Sequence, residues 1–149
     1  MDNIWNSLNK IVLFVSYESM AQLESYKKAL TLAGLLRENC YIIAIVENKK
    51  QLESLKSDDR LVFFHEKEIS FLGKNKNDLA KEIFSKSFDL QMSVGDVTKK
   101  IMKQLVQMKA KLRIGLNTKQ GIFDINLQSE DTTPSHLINF AKSITEKLS

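Results

Sequence analysis

Four carboxylates recur at a comparable place in the chain. Glu18, Glu47, Glu66 and Asp96 each stand one or two positions past the end of an apolar run. Neighbouring carboxylates can hold their pKa values apart for acid–base work, or share a divalent cation. The competing reading makes each an ordinary loop acid, solvated or capping a helix. With only a fold-level argument behind the first reading, the second stands ahead.

Cys40 and His65 are the residue types of a nucleophile–base pair, which needs hydrogen-bond reach. Cys40 opens its apolar run and His65 closes another. In parallel strands of this length they fall at opposite edges of the sheet, roughly 15–20 Å apart. Cys40 therefore reads as a core cysteine. His136 lies in the first turn of the last helix and reads as solvated. Two histidines and one cysteine, none at metal-ligand spacing, predict no metal site.

The stretch FDLQMSVGDVTKK (residues 88–100) runs strand, glycine, helix, an order that can cradle a phosphate. Gly95 stands alone, without a G-x-G-x-x-G or G-x-x-x-x-G-K-[ST] pattern. Asp96 would meet the phosphate, and it reads instead as the N-cap of the following helix. The earlier strand-to-helix turn, SYESM, contains no glycine, so side chains would hold a pyrophosphate off the backbone. Neither nucleotide signature is present, and no cofactor is predicted.

The elements that must position these groups alternate along the chain. Lys10–Tyr17, Cys40–Val46, Arg60–His65, Phe88–Val94, Lys111–Leu116 and Phe123–Leu127 read as strands, most of them unbroken apolar runs. Ser19 caps a helix that presents Met20, Leu23, Tyr26, Leu30 and Ala33, and Gly34 ends it. Asn48 caps a short helix, and Asp78–Lys86 forms another, burying Leu79 and Ile83. Val97–Met108 is the most regular amphipathic helix, with Val97, Ile101, Met102, Leu105, Val106 and Met108 on its apolar half. Thr133 caps the last helix with Pro134 at its first position.

Continuous apolar strands imply burial on both faces. The expected fold class is α/β, a three-layer Rossmann-like single domain with a mainly parallel sheet of five to six strands. The short Asn117–Gly121 connection raises an antiparallel sixth strand as the exception. In such sheets ligands bind beyond the carboxyl ends of the strands. That rule selects a candidate rim of Ser16, Glu18, Ser19, Glu47, Asn48, His65, Ser93, Gly95, Asp96 and Asn117. Phe88-Asp89-Leu90 and Phe123-Asp124-Ile125 open strands at the opposite edge. Each Phe anchors its strand and each acid bonds nearby backbone N–H groups.

The chain has 149 residues, 43% of them hydrophobic and 27% charged, which bounds it to one domain able to bury about two-thirds of its unfolded surface. Residues 1–9 read as a loosely attached N-terminal segment. No apolar run approaches a membrane span, and MDNIWNSLNK lacks the basic-then-apolar pattern of a secretory signal. A lone cysteine fits a reducing cytoplasm. Net charge is +4, with the excess concentrated between Val97 and Phe123, where no Asp or Glu occurs. Lys99, Lys100 and Lys103 form a basic helix face without interleaved aromatics, which reads as solvated and predicts no nucleic-acid partner.

Residues 66–127 carry the distinctive sequence EISFLGKNKN, SFDLQMSV, AKLRIGL and FDINL. With Phe71-Leu72-Gly73-Lys74, Phe88-Asp89-Leu90 and Arg113-Ile114-Gly115 as its specific parts, this half resembles a small bacterial family of unknown function. The resemblance implies an α/β fold and no assigned activity. The FDL…RIG unit is also similar to a strand-helix-strand piece in the acceptor domain of heptosyltransferase-like glycosyltransferases. Those enzymes need two such domains, so the similarity carries architecture and no catalytic residue. The leading expectation is a non-catalytic α/β module that binds a protein partner or small ligand, a second copy of the chain included. The alternative is a small enzyme acting on a phosphorylated or nucleotide-sugar ligand at the carboxyl edge.

Overall fold

The computed structural model describes residues 4–148. Its six strands are β1 (Ile11–Ser16), β2 (Cys40–Ile45), β3 (Leu61–Phe64), β4 (Ser87–Val94), β5 (Lys109–Leu116) and β6 (Ile125–Leu127). They form one sheet in the order β3-β2-β1-β4-β5-β6, and all five pairings are parallel. The α-helices are α1 (Met20–Leu32), α2 (Asp78–Phe84), α3 (Lys99–Gln107) and α4 (Pro134–Lys147).

The sheet separates two apolar layers. On one face Ile11, Leu13 and Val15 of β1 pack with Leu23, Tyr26 and Leu30 of α1 and Leu137, Ile138 and Ala141 of α4. On the other, Val12 and Phe14 pack with Ala80 and Ile83 of α2 and Ile101 and Leu105 of α3. β1 and β4 are central: β1 is buried as its unbroken apolar run requires, and β4 buries Gln91 and Ser93 along with Phe88, Leu90 and Met92. This is the three-layer α/β arrangement, with its connections switching faces between β1 and β4.

Three expectations are corrected. First, β6 runs parallel to β5, with Ile114, Gly115 and Leu116 opposite Ile125, Asn126 and Leu127. The chain need retreat only about 10 Å to pair three residues, which the connection 117–124 spans without a helix. Asn117, at φ 56°, starts the reversal, and Thr118 is buried beneath it. Gly115 makes the room. A Cβ there would sit 2.5 Å from Asn126 Oδ1, 2.5 Å from Thr118 Cγ2 and 2.8 Å from Phe123 Cδ2.

Second, the part of segment 1–9 that is described is not loose. Trp5 is completely buried with Leu8 in the α1–α4 layer, and its indole N–H donates to Ala33 O at 2.9 Å. An indole needs a partner for its N–H when buried, and the end of α1 supplies one. Residues 1–3 lie outside the described residues.

Third, some helical faces differ from the wheel. Met20 and Val106 are exposed, whereas Gln104 is buried. The amide of Gln104, a position the wheel left unassigned, donates to Gly73 O at 3.1 Å beneath a loop that covers it. Leu79 is only half-buried, and Ala80 goes inside with Ile83.

The outer edge of β3 is closed by side chains and a turn. Leu61 N–H donates to Asp58 Oδ1 and Phe63 N–H to Ser57 Oγ, at 2.8 and 2.9 Å. Leu61 O accepts from Asp58 N–H at 2.9 Å, and Phe63 O from Asn77 Nδ2 at 3.2 Å. Just beyond the strand, His65 N–H donates to Glu68 Oε1 at 3.1 Å.

Candidate functional site

The strand order reverses direction between β1 and β4, and the carboxyl ends there open a cleft of about 520 Å³. Ser16, Tyr17 and Glu18 come from the end of β1, and Ile45, Val46 and Glu47 from the end of β2. Glu66 follows β3, while Asp96, Val97, Thr98 and Ile101 follow β4. The lining has an apolar floor and four carboxylates. It contains no lysine, arginine or histidine.

The candidate rim residues divide. Ser16, Glu18, Glu47 and Asp96 line this cleft; Ser19, Asn48, His65, Ser93, Gly95 and Asn117 do not. Ser19 caps α1 by accepting from Gln22 N–H at 3.1 Å, and Asn48 caps a 3-10 turn through Lys50 N–H at 2.9 Å. His65 is buried, and both ring nitrogens are engaged. Nδ1 accepts from Lys67 N–H at 3.0 Å, which leaves Nε2–H to donate to Glu47 O at 3.1 Å. It is a capping side chain with no ring nitrogen left to act as a base.

Ser93 is completely buried, and its Oγ has no protein partner. Gly95, at φ +78°, sends its N–H to Leu116 O at 2.8 Å, so this amide is not free for an anion. Asn117 Oδ1 accepts from Ser129 N–H at 2.7 Å.

Asp96 is not the helix cap. Thr98 is, with Oγ1 facing Ile101 N–H at 3.5 Å. Asp96 Oδ1 instead accepts from Thr118 Oγ1 at 2.6 Å and from Lys119 N–H at 3.3 Å. It ties the end of β4 to the β5–β6 connection. Glu18, Glu47 and Glu66 contribute carboxylates to the same cleft, but among the described residues no three His, Cys, Asp or Glu side chains gather closely enough to hold a metal ion. Val97, Thr98, Ile101, Ile45 and Val46 were missing from the sequence-derived rim. The four apolar ones look like core at a strand end or helix start, and Thr98 is passed over because Asp96 reads as the cap.

A second cleft, about 470 Å³, lies at the amino edge between α1 and β3. Its lining mixes both signs, and two pairs are formed: Lys27 Nζ lies 3.3 Å from Glu24 and Arg60 3.4 Å from Asp59. Burial pushes Asp58 up, but the N–H groups of Arg60 and Leu61 and the charges of Lys27 and Arg37 outweigh it and hold the carboxyl below its ordinary range. Cys40 borders this cleft, and burial raises its thiol to about 11. A thiol that stays protonated at neutral pH is a poor nucleophile. Cys40 begins β2 and His65 follows β3, and no hydrogen bond links them. The carboxyl-edge cleft, whose charged lining residues are all acidic, is the stronger site.

A six-stranded parallel sheet ordered 3-2-1-4-5-6 between helical layers makes this a Rossmann-like α/β protein. Over residues 2–148 the chain belongs to a family of unknown function, DUF6913. No curated protein matches it. Among solved structures it is similar to the D-arabinose dehydrogenase from Sulfolobus solfataricus, at 15% identity and a TM-score of 0.43. That alignment covers 96% of this chain and 46% of the dehydrogenase chain, so this chain spans about half its length.

Proposed function

We propose that the chain is a non-catalytic binding module whose ligand enters the cleft between β1 and β4 and presents a cationic group on an apolar stem. The observation that carries this reading is the lining itself. Glu18, Glu47, Glu66 and Asp96 surround an apolar floor of Ile45, Val46, Val97 and Ile101, with no basic side chain among them. Small-ligand sites combine apolar walls with a few convergent polar groups, and switch-point crevices are their usual place in this fold. An amine or guanidinium gains from four carboxylates, whereas a phosphate is repelled by them.

The same electrostatics weigh against the alternative, a small enzyme acting on a phosphorylated or nucleotide-sugar ligand at the carboxyl edge. We place the module in a bacterial cytoplasm, on the family resemblance of residues 66–127 and the single, protonated Cys40. Thermal shift with agmatine, an oligo-arginine peptide and ATP tests the reading and separates a small amine from a peptide. A cation at 100 times its dissociation constant should stabilise by about 2.7 kcal/mol. Glu18→Gln with Glu47→Gln should remove that shift. Stabilisation by ATP, or by neither cation, would count against it.

A further inference from the structure

Phe71 and Leu72 are 90% and 82% exposed, the two most exposed large apolar side chains among the described residues. Such residues on a floppy tail would carry little meaning. These sit on a braced hairpin. Ser70 N–H donates to Lys74 O and Gly73 N–H to Ser70 O, both at 2.8 Å, and Lys74 N–H donates to Ser70 Oγ at 3.0 Å. Ile69 and Asn75 form an antiparallel bridge at its base. Gly73, at φ +85°, turns the tip, and its carbonyl accepts from Gln104 of α3.

That last bond joins two stretches of like charge. Residues 69–77 carry Lys74 and Lys76, and residues 97–108 carry Lys99, Lys100 and Lys103, all exposed. Neither stretch contains an Asp or Glu. Of the two acids that border the first stretch, Glu68 is occupied internally, accepting from His65 N–H and Asn77 Nδ2, and Asp78 opens α2. The result is a fixed apolar wedge in a field of lysines. A salt-tolerant protein–protein contact would not need that field, and a single-strand groove stacks bases on rings in series, whereas Phe71 is the one aromatic in these two stretches and Leu72 beside it cannot stack.

We infer that the Phe71–Leu72 hairpin and the lysines of α3 together dock the protein on an anionic lipid surface. The two side chains enter the interface while the lysines meet the headgroups. Neither signal suffices alone, since stable peripheral attachment takes an apolar insertion combined with a basic patch. Docking does not depend on whether a cation binds the carboxyl-edge cleft.

The test is co-sedimentation of the full chain with phosphatidylcholine vesicles, plain or with about a quarter phosphatidylglycerol. Binding should require the anionic lipid and weaken as salt rises. Phe71→Ser with Leu72→Ser should lower partitioning by about tenfold per residue. Replacing Lys99, Lys100 and Lys103 by Gln should lower it by about fivefold per lysine. Unchanged melting temperatures would show that both variants fold. A Phe71→Trp chain should show blue-shifted emission on anionic vesicles, quenched by brominated acyl chains.

Four results would overturn the inference. They are no vesicle binding, binding indifferent to Phe71 and Leu72, salt-sensitive binding of DNA or RNA in place of vesicles, and tip-dependent self-association without lipid.

Discussion

Asp89 shows how much a single acid at a strand opening does. Its Oδ2 accepts from Asn9 N–H at 2.8 Å and Lys10 N–H at 3.3 Å, and its Oδ1 lies 3.3 Å from Lys111 Nζ. It therefore joins the entry to β1, the start of β4 and β5. Burial raises its pKa, but those N–H groups and Lys111 outweigh burial and leave it below its ordinary value of 3.8. A carboxyl with a depressed folded pKa stabilises the fold above its unfolded pKa, and that contribution fades as pH falls through the folded value. Asp89→Ala should cost about 1–2 kcal/mol at pH 7, given its partly exposed setting. Urea titrations should show the gap from the parent narrowing below about pH 4. A gap that stays constant to pH 2 would mean the charge is irrelevant. Asp124 repeats the device, accepting from Arg113 N–H at 2.8 Å. Both bonds agree with the sequence argument that short acids after Phe88 and Phe123 serve the backbone.

At the scale of elements, the β5–β6 connection depends on an absent side chain. Gly115→Ala would drive a methyl into Asn126, Thr118 and Phe123, and overpacking of this kind costs about 1–3 kcal/mol. Gly121→Ala, with open space around it, is the control and should change little. Equal midpoints in urea for the two variants would sink the account. Strand positions were legible in the sequence because β1, β2 and β3 are continuous apolar runs bounded by polar residues. The direction of β6 was not, since a short connection usually means a hairpin, and the exception rests on contacts of Gly115 with residues later in the chain. The helix start was read two residues early for a related reason. Both Asp96 and Thr98 can cap, and only Thr118, distant in sequence, shows that Asp96 is engaged elsewhere. The rim followed the same pattern. Strand ends located Ser16, Glu18, Glu47 and Asp96, while the bonds that divert His65 and Asn117 have no local signature.

For the whole molecule, Trp5 offers one built-in reporter, being the sole tryptophan of the chain and fully buried. It bridges the N-terminal segment to the end of α1, within the layer that α4 completes. If residues 4–148 fold as one unit, the red shift of its emission in urea should coincide with the loss of far-UV circular dichroism. A tryptophan transition preceding the dichroism change would restore a separately melting segment. Trp5→Ala should destabilise the whole by about 3–5 kcal/mol, as loss of a large core side chain does.

The closed edge of β3 has a consequence for what the chain avoids. LVFF is short, uncharged and strongly strand-forming, the composition that recruits foreign strands into fibrils. With Asp58, Ser57 and Asn77 standing in for a neighbour, Leu61 and Phe63 offer an incoming strand no free template. Ser57→Ala with Asp58→Ala should leave the N–H groups of Arg60, Leu61 and Phe63 bare, and the variant should seed thioflavin-positive fibres under native conditions where the parent does not. A double variant that remained clear would show that twist or crowding, not side-chain saturation, guards this edge.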